Sequence, residues 1–368
     1  MYKEMNLKIS FISIILCLFL IVKGVTSLYN NFYLELLPFE KYIDWLMYSC
    51  FIILVVFCFL YFKITGYLYV FFVFLLYNIF FQNETLIDIN SYGVVFISFL
   101  MAKYYNLPIN KIISLSVFVV ALIFVMLQFF GFGFGIENSI SIRGVNYIAS
   151  VFFIGFIFSI SKFNNKMDVV FGFVFFILLV YLKSRTYLFS AIIYILLLFY
   201  KDKRILMIVS VSLLVLAFGF VDIESIIYKW SDSQSNLTSG RIDGALTYIL
   251  TIIERFPYSL LPFKIYTLFN DFTFEVFRDL SGYHVVHNYT IGVLYSGGVI
   301  LGVIWLVFIF LLILFSIKQK YYDVSTRIII MFFASQLEPI LGVSTNLYSI
   351  VFYYLMINIM LKYMRTVG

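Results

Sequence analysis

Three short clusters gather the side chains of this sequence that can bind an anion or move a proton: Lys183-Ser184-Arg185, Ser239-Gly240-Arg241 and His284-Val285-Val286-His287-Asn288. The first and third border apolar runs, and the second lies within a long polar loop. A guanidinium offers a fork of N–H donors matched to phosphate oxygens, so Arg185 and Arg241 are the candidate ligands of an anionic headgroup. Gly240 lets a ligand approach the backbone closely before Arg241. Arg143 is a third arginine that can join such a site, and Lys183 is read either as a phosphate contact or as a snorkelling interfacial residue. The two histidines of the chain are three residues apart. Imidazole titrates near neutrality and can take a proton from a hydroxyl, which makes His287 the candidate base, with His284 and Asn288 beside it.

Weaker features are read more plainly. His284 and His287 have no cysteine or acidic cluster next to them, so no metal site is assigned. Cys17, Cys50 and Cys58 all fall in apolar runs without ligand or disulfide spacing and are expected to be buried thiols. Gly131, Gly133 and Gly135 alternate with Phe but lack the strand, helix and lysine of a phosphate loop, and are read as an external turn. Glu338 stands at the end of an apolar run, where it can pair with an external arginine or cap a helix. Gly292, Gly297, Gly298 and Gly302 suit helix bending or close packing.

The elements that must carry these residues are membrane helices. Of 368 residues, 63% are hydrophobic and only 12% charged, about half the charge of an ordinary globular domain. The fold class is therefore all-α, a polytopic integral membrane protein forming one transmembrane domain over 1–368. The alternating segments of a β-barrel are absent. The net charge of +6 reflects lysines and arginines in the gaps between apolar runs, not a nucleic-acid surface. The first run, after Lys3 and Lys8, lacks a small-residue cleavage site and is read as a retained helix.

At about 20 apolar residues per span, helices are expected near 9–28, 43–62, 65–82, 91–104, 111–130, 145–161, 168–183, 186–200, 204–221, 286–317, 327–338 and 345–363. The fourth and eleventh are short. With Lys3 and Lys8 inside, the gaps holding Lys63, Lys103, Lys162, Lys201, Lys318 and Arg327 fall on one face, and both termini are cytoplasmic. Arg143, Lys183, Arg185 and the basic residues of a long loop at 222–284 break this rule on the external face. Within that loop, Arg241 to Phe256 has helical spacing through Leu246, Ile249, Leu250 and Ile253, and Pro257 stops it. An amphipathic helix over the external mouth of the membrane domain is expected, with Arg241 in its first turn.

The ordered set of Lys-Ser-Arg-Thr at 183–186 opening a helix, a late external loop with Ser-Gly-Arg at 239–241, and His-Asn at 287–288 before Tyr-Ser-Gly-Gly-Val-Ile-Leu-Gly resembles the bacterial O-antigen polymerase (Wzy) and O-antigen ligase superfamily. The resemblance implies a GT-C-like membrane glycosyltransferase of the inner membrane, acting in lipopolysaccharide or capsule synthesis. It implies an oligosaccharide on undecaprenyl pyrophosphate as donor and a sugar hydroxyl of another lipid-linked unit as acceptor, with a flippase and a chain-length regulator as protein partners. Arg185 and Arg241 would then neutralise the leaving pyrophosphate and His287 would be the base, with Arg143, Lys183, Gly240, His284, Asn288 and Glu338 around the substrate. No cofactor is expected: the chain has no nucleotide-binding pattern and no Asp-x-Asp motif. A ligase would use the same residues on a different acceptor. A flippase or transporter is the rival from another class; it predicts related halves, and no such relation is visible.

Overall fold

A computed structural model describes residues 2–29, 46, 49, 52–53, 89–103, 108–129, 142–160, 166–199, 241–262, 288–337 and 346–367. The described residues are helical, with no strand among them. The helices are α1 (Tyr2–Tyr29), α2 (Ile89–Lys103), α3 (Ile109–Phe129), α4 (Ile142–Ser159), α5 (Lys166–Tyr181), α6 (Arg185–Phe199), α7 (Arg241–Glu254), α8 (Tyr289–Ser296), α9 (Gly298–Lys318), α10 (Tyr322–Leu337) and α11 (Leu347–Val367). Helices α3, α9 and the stretch Leu347–Met364 of α11 are long and apolar enough to cross a membrane. Shorter apolar helices cover Ile12–Val25, Asn146–Ser159, Met167–Tyr181 and Arg185–Leu198. The spans expected at 43–62, 65–82 and 204–221 lie largely or wholly outside the described residues.

The chain divides into two compact units. The first holds α1 to α5, the start of α6 and α11; the second holds the rest of α6 and α7 to α10.

In the first unit α4 and α11 are the inner helices. From Ile148 to Ile160 every residue of the α4 segment is buried, and so is every residue of α11 from Leu347 to Ile357. Close approach is achieved with small residues, as membrane packing requires when hydrophobicity alone does not favour one helix face over lipid. Ser114 on α3 and Ser159 on α4 share a hydrogen bond of 2.7 Å. A Cβ at Gly24 of α1 would stand 2.6 Å from Val120 of α3, and one at Gly155 of α4 would meet the ring of Phe175 on α5 at 2.7 Å. Ser98 of α2 donates to the Ile350 carbonyl of α11 at 2.9 Å. Cys17 is half-buried, with the Ser116 hydroxyl 3.2 Å from its sulfur; Cys50 and Cys58 lie outside the described residues. Between these contacts the space is filled by aromatic rings, including Phe124 on Phe152 and Tyr187 on Tyr348.

The second unit departs from the expected spans at two places. The run 286–317 is not one helix: α8 ends at Ser296, and α9 starts at Gly298, whose φ of +70° only glycine adopts without strain. A Cβ on Gly298 would fall 2.3 Å from the carbonyl carbon of Leu261, so this glycine also admits the chain that follows α7. A Cβ on Gly302 would stand 3.0 Å from the Leu294 backbone, which lets α8 fold against α9. The second departure is α10, which begins at Tyr322 and not near 327. Lys320, at φ 61°, ends α9 with the paired bonds of a Schellman turn, Lys320 N–H to Ile317 and Tyr321 N–H to Ser316. That turn places Arg327 inside a helix, 3% exposed, where its side chain bonds to Tyr194 of α6. Counting charges by loop assigns Arg327 to a cytoplasmic gap; the packed helix buries it instead.

Candidate functional site

Helices α5 and α6 form a hairpin whose turn is Leu182-Lys183-Ser184. Lys183 holds a left-handed φ of 52° and donates its N–H to the Val180 carbonyl at 2.9 Å. This is the position after a helix end that glycine normally takes. Ser184 is buried and donates to the Asn146 side-chain oxygen on α4 at 3.0 Å. Asn146 stands one helical turn after Arg143, the second residue of α4. The structure thus brings the start of α4, which carries Arg143, beside the Lys-Ser-Arg turn. Arg185 is the first residue of α6 and is exposed, whereas Thr186, Tyr187 and Ser190 after it are buried.

In the second unit Arg241 is the first residue of α7, a helix of 14 residues ending at Glu254. The expected amphipathic helix is therefore present, two residues shorter than its spacing suggested, because Pro257 supplies no N–H and restricts the residue before it. Asn288 is the N-cap of α8: its side-chain oxygen accepts from the Ile291 N–H at 3.0 Å, and its side-chain amide donates to the Gln336 carbonyl of α10 at 3.2 Å. Gln336 accepts in return from the Thr290 N–H at 3.3 Å and the Thr290 hydroxyl at 2.7 Å. Asn288 is thereby a positioning residue, with both polar atoms of its side chain engaged by the protein. Tyr289 is buried next to it, accepting from the Trp305 indole N–H at 3.0 Å. Gly240, His284, His287 and Glu338 lie outside the described residues.

A shared geometry links the clusters. Arg143, Arg185, Arg241 and Asn288 all stand at the N-terminal end of a helix, in α4, α6, α7 and α8 respectively. The positive end of the helix dipole lies there and, at α4, α6 and α7, acts on an anion in the same sense as a guanidinium, whereas at α8 the Thr290 and Ile291 N–H groups are taken by Gln336 and Asn288. Arg185 belongs to the first unit; Arg241 and Asn288 belong to the second.

Sequence reading missed a small hollow of about 20 Å³ between the end of α7 and α8, lined by Thr251, Arg255, Tyr258, Ser259 and Tyr295 among others. Tyr248 closes one side of α7 by meeting Tyr295 edge to face at 4.9 Å, and burial pushes its hydroxyl pKa up, so that it remains a proton-bearing donor at neutral pH. Arg255 had a legible signal: it follows Arg241 and Tyr248 at intervals of seven, which keeps positions near one helix face. Lys23, buried inside apolar α1, was also passed over. No family model, curated protein or solved structure matches this chain.

Proposed function

We propose that this protein is a polysaccharide polymerase of the bacterial inner membrane, a GT-C-like glycosyltransferase that extends glycans carried on undecaprenyl pyrophosphate. In this reading twelve helices cross the bilayer, both termini are cytoplasmic, and the 222–284 loop lies on the external face. The supporting observation is the placement of the basic set: Arg143, Arg185 and Arg241 each open a helix, where dipole and guanidinium together favour the doubly charged leaving group.

The chemistry follows from those residues. The acceptor hydroxyl oxygen forms the new bond to the anomeric carbon of the donor glycan. The bond from that carbon to the pyrophosphate oxygen breaks, and the electron pair leaves with undecaprenyl pyrophosphate. Arg185 and Arg241 neutralise the charge growing on that oxygen, a form of transition-state stabilisation that needs no proton transfer. His287 takes the acceptor proton. Asn288 fixes the start of α8, and with it the backbone next to His287.

The decisive experiment supplies the purified protein with lipid pyrophosphate-linked repeat units and resolves the products on a gel. A ladder of longer lipid-linked chains, lost in His287→Ala, is the expected result. Unextended repeat units beside an active control would move the assignment to a ligase or a transporter.

A further inference from the structure

Among the described residues, helix α7 is packed on one side only. Tyr248 meets Tyr295 of α8, and Thr251, Ile252 and Arg255 line the hollow beneath. At 100° per residue these inward positions leave Leu246, Ile249, Leu250 and Ile253 on the opposite face. All four are exposed, Ile253 to 63%. The apolar surface continues beyond the helix end through Phe256, 68% exposed, to Leu261. A helix resting with its apolar face on the membrane domain would bury these side chains, and here they point away from α8.

Continuity identifies what covers them. The Leu261 carbonyl abuts Gly298, the first residue of α9. From there α9 exposes Ile300, Val303, Ile304 and Val307 along a helix of 21 residues, apolar and long enough to cross a membrane. If α9 crosses the membrane, these exposed α9 side chains meet hydrocarbon, and the exposed end of α7 at Leu261 adjoins the start of that span. The flank of α7 carries the exposed Glu254, and the turn after it carries Arg255 and Tyr258, whose apolar stems and polar tips suit the headgroup layer.

We infer that α7 is an interfacial helix: Leu246, Ile249, Leu250 and Ile253 insert among the upper acyl chains of one leaflet, with the polar flank among the headgroups. The partner is the bilayer itself. The inference is independent of glycosyl transfer, but it has a consequence for it, since a helix lying in the interface starts with Arg241 at the depth of lipid phosphates.

The test places an environment-sensitive fluorescent amino acid at position 250, 253 or 254 of the full chain, by stop-codon suppression, in nanodiscs of zwitterionic and anionic lipid. Quenchers are iodide in water and a nitroxide fixed high or low on the acyl chain. The expected result at 250 and 253 is quenching by the high nitroxide at least about twofold stronger than by the low one, with weak quenching by iodide. Position 254 should show the reverse preference for iodide. Position 246 or 249 replaces any variant not recovered in nanodiscs. Iodide access at 250 and 253 equal to that at 254 overturns the inference. Protection from both quenchers also overturns it, because a second copy or another part of this chain would then cover the face.

Discussion

The Asn288 side-chain amide donates to the Gln336 carbonyl at 3.2 Å, and the Gln336 side-chain oxygen accepts from the Thr290 hydroxyl at 2.7 Å. The N-terminus of α8 and the C-terminus of α10 thereby satisfy one another. Orphan N–H groups of one helix and an orphan carbonyl of the other find partners, and the positive end of one dipole lies beside the negative end of the other. Asn288→Ala should lower stability by about 1 kcal/mol, the usual cost of a lost N-cap. Asn288→Asp, which keeps the acceptor and loses the donor, should fall between alanine and the native protein. Thermal unfolding in detergent checks the order, and an alanine variant as stable as the native protein would remove this tie from the account.

The left-handed backbone at Lys183 separates its charge from its conformation. Lys183→Gly should stabilise the α5–α6 hairpin by about 1 kcal/mol, because glycine adopts that φ without a Cβ clash. If the ammonium binds substrate, polymer synthesis falls in the same variant while the unfolding temperature rises. A variant that gains stability and keeps full activity assigns Lys183 to the turn alone.

Gly298→Ala should be among the most damaging small substitutions in the second unit. The added carbon meets the Leu261 backbone, which cannot rotate away as a side chain can, and φ is positive as well. The expected loss exceeds about 1 kcal/mol. Gly302→Ala, whose added carbon would stand 2.9 Å from the Leu294 side chain and 3.0 Å from its backbone, with no positive φ, should cost less. Comparing the two unfolding midpoints in one detergent checks this order.

Arg327→Leu removes a buried cation that bonds to Tyr194 and follows Asp323 by one helical turn. Stability should fall by about 1 kcal/mol or more, the scale of leaving a buried neutral hydroxyl without its partner. Tyr194→Phe, which deletes only the hydroxyl, should cost less. Equal unfolding temperatures for native and Arg327→Leu protein would show that this contact contributes nothing net.

Arg185→Ala and Arg241→Ala should each reduce chain extension by roughly 100-fold or more if they neutralise the leaving pyrophosphate. Membrane insertion should be unchanged, since Arg185 is exposed. Polymer of native length from both variants would sink the proposed role.

Hydropathy located α3, α5, α6 and α11 to within a few residues, because long apolar runs leave the chain little alternative to helix. The start of α7 at Arg241 was legible for a similar reason, from helical spacing after a turn-forming segment. What was not legible depends on tertiary partners. The break at Gly297 and Gly298 is required by Leu261, some 40 residues earlier in the chain, and apolar character runs through it without a dip. Arg327 reads as a loop residue until the turn at Lys320 starts α10 five residues before it. Asn288 looks like a substrate contact beside His287, but its engagement by Gln336 emerges only when α8 and α10 are packed. The Ser184 bond to Asn146 is of the same kind. It joins the start of α4 to the Lys-Ser-Arg turn, which sequence reading could associate only by their shared predicted side.

The glycine break between α8 and α9 also bears on how the protein meets membranes of different thickness. With 21 residues, α9 alone spans about 32 Å, close to the roughly 30 Å of a hydrocarbon core. A thinner bilayer is accommodated by tilting such a helix. The Trp305–Tyr289 hydrogen bond and the close approach at Gly302 tie α8 to α9, so such a tilt is carried to Asn288 and loads its bonds to Gln336.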